Sequence, residues 1–95
     1  MTRSELSRLA LHDLDLFIAT RQLPEVETRA RVSATVSVLC AHPESGQWVG
    51  PPFDGARMAG VGWGWLCLLY LYDEAADVVS IVRCFDIRTR GAPRP

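Results

Sequence analysis

A chain that carries the stretch GVGWGWLCLLYLYDEAADVVSIVRCFDIR at positions 60–88 has few folds open to it. Residues 65–72 are an unbroken apolar run, and residues 78–85 are β-branched at Val78, Val79, Ile81 and Val82. Short runs of this kind, rich in aromatic and β-branched residues and bounded by turn signals, favour strand over helix. The polar connector Asp73-Glu74-Ala75-Ala76-Asp77 joins them as a hairpin with a longer loop. Because residues 65–72 present apolar side chains to both faces, they predict a central strand covered by helices on at least one side.

The first half of the chain supplies that cover. Ser7 is a candidate N-cap, and Leu11, Leu14 and Ile18, widened by Phe17, form an apolar stripe. His12, Asp13, Asp15 and Arg21 fall mostly away from it and read as a solvated face. This helix is expected to end near Gln22, because Pro24 disfavours helical geometry at Leu23. Pro24 suits the first turn of a second helix, with Glu25 and Glu27 near its positive end. Residues 32–40 alternate in a way that imitates a strand, but Val26, Ala30, Ser33, Val36 and Cys40 also fit a helical stripe. The acidic start and the stop at His42-Pro43 decide for helix. Two helices joined by so few residues run antiparallel as a hairpin.

Residues 43–55, PESGQWVGPPFDG, read as loop. Residues 56–61 are a candidate first strand, and Gly62 and Gly64 around Trp63 mark a turn or bulge before the long strand. Residues 1–6 are a short strand or an arm, and the tail 91–95 is expected to fray. The expected architecture is therefore α+β: an N-terminal antiparallel helical hairpin packed on a C-terminal antiparallel sheet of three to four strands. Ninety-five residues suffice for one domain spanning 1–95.

No apolar run approaches the roughly 18 residues that a membrane span requires, and no basic-then-apolar leader opens the chain, so a cytoplasmic protein is expected. All ten basic residues are Arg, and the net charge is −1, which argues against a whole-protein footprint for nucleic acid. Three cysteines at irregular positions do not make a disulfide framework. Cys40, His42, Cys67 and Cys84 lack the usual spacing of zinc ligands, so no metal and no cofactor is expected.

The segments SRLALHDLDLFIA (7–19), LCAHPESGQWVGPPFDGAR (39–57), LCLLYLYDEAADVVSIVRCF (66–85) and DIR (86–88), in that order and spacing, resemble the RelE/ParE family of bacterial type II toxin–antitoxin toxins. The resemblance spans nearly the whole chain. It implies a toxin held inactive by a cognate, ParD-like antitoxin whose C-terminal segment lays a helix, often with an added strand, across it. Leu11, Leu14, Ile18 and Trp63 are the residues expected to meet that antitoxin. RelE-like members cleave mRNA on the ribosome, whereas ParE-like members poison DNA gyrase without catalysis. Carried over by position, Arg57 matches the Arg that opens the first hairpin strand, Arg83 that of the last strand, and Arg88 the one after it.

Departures from the family pattern weigh against cleavage. Asp86 stands where many relatives have His, Lys is missing altogether, and no Tyr lies beyond Tyr72. In-line attack by a ribose hydroxyl needs a base, a cation for the phosphorane and an acid for the leaving oxygen. Arg57, Arg83 and Arg88 supply only the cations, and the bland reading makes them a surface ion network with Asp86 and Glu74. A gyrase inhibitor needs only a binding surface, for which Arg83, Phe85, Arg88 and Arg90 are the candidates, because Arg and aromatic anchors dominate interface energetics. Ribosome-dependent mRNA cleavage, and a degenerate member that binds an antitoxin without toxicity, remain the alternatives.

Overall fold

The computed structural model describes residues 2–94. Seven elements follow in order: β1 (Arg3–Leu6), α1 (Arg8–Thr20), α2 (Glu25–Ala41), β2 (Gln47–Trp48), β3 (Arg57–Val61), β4 (Leu66–Asp73) and β5 (Val78–Asp86). They build one five-stranded sheet in the order β1-β5-β4-β3-β2. The long apolar run is its central strand. Leu66, Leu68 and Tyr70 of β4 turn to the helices, while Leu69 faces the opposite side, where it packs with Val49 and Ala56. Strand alternation therefore buries both faces of β4 over residues 66–70, which explains why that stretch carries no charge, whereas Leu71 and Asp73 near its end are exposed. Each large side chain fully buried there contributes about 1.5–3 kcal/mol.

The β4–β5 hairpin keeps its expected connector but contains a bulge. Leu69 lies opposite Arg83 and Tyr70 opposite Ile81, so Val82 is the extra residue on β5. The sheet is also wider than expected and is mixed rather than purely antiparallel. Its first strand, β1, pairs parallel to β5, from Arg3 opposite Val78 to Leu6 opposite Ile81. The reason lies in the connections: the two helices carry the chain from β1 to the far edge of the sheet, and β2, β3 and β4 then return antiparallel to set β5 beside β1. β2 adds a two-residue rung to β3 inside the segment expected to be loop.

Ser7 caps α1 as expected, its Oγ accepting from the Ala10 N–H at 3.0 Å. The same hydroxyl donates to the Val82 carbonyl at 2.7 Å, stitching the start of the helix to β5. α1 stops at Thr20, and Gln22 takes a left-handed conformation (φ 50°) before Pro24, which caps α2 rather than entering it. α2 is helical, but its inward stripe is Thr28, Val32, Val36 and Leu39. Of the residues expected on that stripe, only Val36 is fully buried; Val26 is 84% exposed. Val, Ala, Ser and Cys alternate so evenly along this segment that two stripes compete, and packing selects the one carrying Leu39.

The sheet face away from the helices has its own cover. Phe53, Met58, Val82 and Phe85 gather around Val49, Ala56 and Leu69, with the Phe53 and Phe85 rings edge to face at 5.6 Å. The expected frayed tail instead folds back over residues 91–94: Ala92 and Pro93 are buried, and the Gly50 N–H donates to the Arg94 carbonyl at 2.9 Å. Pro95 and Met1 lie outside the described residues. No helix among the described residues is long and apolar enough to cross a membrane.

Candidate functional site

β1 ends at Leu6, so beyond Ile81 the outer flank of β5 has no strand beside it among the described residues. Side chains from α1 take over that role. After Ser7 has satisfied the Val82 carbonyl, Asp13 accepts the Cys84 N–H at 3.0 Å. The same carboxylate accepts Nε and Nη2 of Arg83 at 2.7 and 3.1 Å. Asp13 is only 9% exposed, so the expectation that it belongs to a solvated face is corrected. The signal was present: Ala10, Asp13, Leu14 and Phe17 share one helical face by their spacing, and Asp13 sits between buried neighbours. Hydrogen bonding to Asp13 holds the Arg83 guanidinium firmly protonated.

A second carboxylate works in the same manner at the end of β5. Asp86, 4% exposed, accepts Nε and Nη2 of Arg88 at 2.9 and 2.8 Å, the Arg88 backbone N–H at 2.9 Å, and Nη2 of Arg21 at 3.0 Å. These bonds, that of Arg88 foremost, hold its carboxyl well below the usual carboxylate range against the cost of burial. Aromatic rings line this pair. The Arg88 guanidinium lies 5.2 Å and that of Arg21 5.4 Å from the Trp65 ring, which stacks on Trp63 at 5.9 Å. Arg31 closes the row over Trp63 at 4.8 Å. Trp63 is thus half-buried in a structural stack that ties α1 and α2 to the β3–β4 turn.

Arg57 has no carboxylate partner among the described residues. Its Nη1 donates to the carbonyls of Glu44 and Gly46, at 3.0 and 2.9 Å, and its guanidinium lies 3.8 Å from the Trp48 ring. It pins the loop after α2, with Tyr70, whose hydroxyl donates to the Pro43 carbonyl and accepts the Gly46 N–H.

The three arginines do not converge. Arg57 lies opposite Tyr70, which faces the helices, and Arg83 opposite Leu69, which faces away. Strand alternation therefore starts these two side chains on opposite sides of the sheet. Arg83 reaches its partner around the open flank of β5, and Arg88 lies past the end of that strand. The anticipated network with Asp86 forms for Arg88, joined by Arg21, but Glu74 takes no part in it. Phe85 is half-buried, 5.1 Å from the Arg83 guanidinium, and Arg90 is exposed with no ion-pair partner among the described residues.

The residues expected to meet an antitoxin divide in two. Leu14, at 2% exposure, belongs to the core, and Ile18 packs against it. Leu11 is 43% exposed and lines a groove of ≈ 240 Å³ between β1, α1 and α2, with Leu6 and Val32. A larger groove of ≈ 490 Å³ runs between α2 and β3, lined by Val38, Leu39, Gly46, Met58 and Gly60. Beside it, β2 pairs only with Arg57 and Met58, which leaves the outer edge of β3 beyond Met58 without a partner among the described residues.

No family model and no curated protein matches the sequence. Solved structures do match the fold. A chain of the RelBE2 toxin–antitoxin complex from Mycobacterium tuberculosis aligns over 90% of this chain and 96% of its own, with a TM-score of 0.68 at 23% identity. YafQ from E. coli aligns over 97% and 100%, with a TM-score of 0.70 at 13% identity. A chain of the chromosomal ParDE system from P. aeruginosa aligns over 92% and 97%, with a TM-score of 0.66 at 17% identity. At these identities the likeness establishes the fold: two helices on a sheet, as in these toxin–antitoxin structures.

Proposed function

We propose that this chain is the toxin of a type II toxin–antitoxin pair that acts in the cytoplasm by binding DNA gyrase, with a ParD-like antitoxin as its neutralising partner. The fold likeness supports the toxin assignment, and one observation carries the choice of mechanism. The arginines that an mRNA endonuclease of this fold would turn on a phosphate do not converge: Arg57 and Arg83 leave opposite sides of the sheet, and Arg88 lies past the end of β5. Arg83 is bound to Asp13, Arg88 to Asp86, and Arg57 to two carbonyls and an indole. Cleavage requires cations that converge on one phosphate and a base within hydrogen-bond reach of the attacking hydroxyl. Protein binding requires neither.

The target-binding residues under this reading are Arg83, Phe85, Arg88 and Arg90. The antitoxin has one apolar groove, one of mixed polarity and an open strand edge at its disposal, which suit helix docking and strand addition. Purified gyrase tests the reading: the chain should inhibit supercoiling, and a stoichiometric antitoxin should restore it. Unchanged supercoiling at saturating toxin would contradict it. New 5′ ends in mRNA after induction would favour cleavage instead, and cells that tolerate expression without antitoxin would point to a degenerate member.

A further inference from the structure

Two arginines are held in the same way, and that way leaves one edge of each free. Arg83 and Arg88 each spend Nε and Nη2 on a carboxylate that is nearly buried. Each carboxylate is fixed from behind: Asp13 by the Cys84 N–H, Asp86 by the Arg88 N–H and Arg21. A guanidinium carries five N–H donors in a rigid fork. With the Nε/Nη2 edge occupied, the Nη1/Nη2 edge points away from the carboxylate. The side chains remain 39% and 64% exposed, and no hydrogen bond joins either Nη1 to the described residues.

The Arg83 clamp has a further feature. Leu9, Asp13 and Leu16 fall on one face of α1 at i, i+4 and i+7. Leu9 is 57% and Leu16 50% exposed, so two open leucines bracket the carboxylate that holds Arg83. We infer that Asp13 is a positioning residue that presents Arg83, between Leu9 and Leu16, to a carboxylate on an acidic, apolar-bearing segment of the target protein. This rests on the reading of the chain as a protein-binding gyrase inhibitor.

Charge selects the occupant. The Arg83–Asp13 pair is neutral as a unit, so it exerts little long-range pull on any anion. What remains is short-range, bidentate recognition of a planar oxyanion. Leucines on either side exclude water from such a contact, which suits a side-chain carboxylate flanked by apolar residues better than a hydrated phosphate chain. A side chain fixed before contact also loses less entropy on binding.

The test is a supercoiling titration with purified gyrase, each variant first shown by circular dichroism to be folded. Asp13→Asn keeps the shape and an oxygen for the Cys84 N–H but removes the charge from the clamp. It should require at least about tenfold more protein for half-inhibition, as expected for loss of an interface anchor. Arg83→Ala should lose as much, and the double variant no more than either alone. Leu16→Glu, on an exposed position, should weaken inhibition about tenfold by repelling an acidic partner, whereas Leu16→Lys should not.

An Asp13→Asn chain as potent as the parent, or additive losses in the double variant, would overturn the positioning role. Equal losses from both Leu16 variants, or none from either, would overturn the acidic partner, and this pair decides should Asp13→Asn fail to fold. Arg83-dependent retention of single-stranded RNA on a filter would assign the surface to nucleic acid and likewise overturn it. A parent chain that leaves gyrase untouched at saturation contradicts the gyrase reading first, and this inference with it.

Discussion

Individual side chains in this protein are judged by whom they answer. Asp13 and Asp86 carry charge into nearly closed surroundings, and both are met by a guanidinium and a backbone N–H. Asp86→Asn should therefore destabilise the fold by roughly 1–2 kcal/mol, because hydrogen bonds to charged groups are stronger than neutral ones while Arg21 and Arg88 remain partly solvated. Chemical denaturation checks this. Thr28 offers the opposite case, since its hydroxyl is fully buried without a hydrogen-bond partner among the described residues. Thr28→Val keeps the shape and removes the orphan, so it should stabilise by about 1 kcal/mol, read as a raised denaturation midpoint. Neither carboxylate was fully legible in advance. The sequence shows Asp86 as a departure from the family pattern and as an ion partner of Arg88, but not its burial; Asp13 reads as solvent-facing because the partner that makes its burial tolerable lies 70 residues along the chain.

At the scale of elements, legibility followed pattern length. β4, β5 and both helices are readable because each carries its signal, an apolar run, β-branching or a helical stripe with its stop, over eight or more residues. β1 and β2 were not resolved, since Arg3, Ser4 and Glu5 are all exposed and Gln47-Trp48 is a two-residue rung. Such strands are defined by their neighbours rather than by their own residues. The parallel pairing of β1 with β5 brings together residues 75 apart, which no local window contains. Ser7 joins these elements by capping α1 and bonding β5 with one hydroxyl. Ser7→Ala should cost about 2 kcal/mol, the upper end for a lost cap, because a strand carbonyl also loses its donor. Urea denaturation of the variant measures this, and a loss below ~0.5 kcal/mol would mean that water replaces both bonds.

For the molecule as a whole, stability should be bounded in pH by groups at both extremes. Asp86 is held below its ordinary range, so its contribution is complete above the unfolded carboxylate pKa of about 4 and is lost as pH falls through the lower folded value. Burial pushes the Cys67 thiol up to about 11 and that of Cys84 up to about 12. The unfolded chain releases those protons earlier, so stability should decline as pH rises above roughly 9. Thermal melts across pH report both arms, and replacing Cys67 and Cys84 with Ala should flatten the alkaline one.

Under the proposed function the chain holds a partner rather than cutting RNA, because Arg57, Arg83 and Arg88 do not converge on one phosphate. Plasmid topology in cells after induction without antitoxin tests this most directly. A negatively supercoiled reporter plasmid should relax progressively in cells expressing the parent, and less in those expressing Arg83→Ala. Growth arrest with the plasmid still fully supercoiled would contradict it.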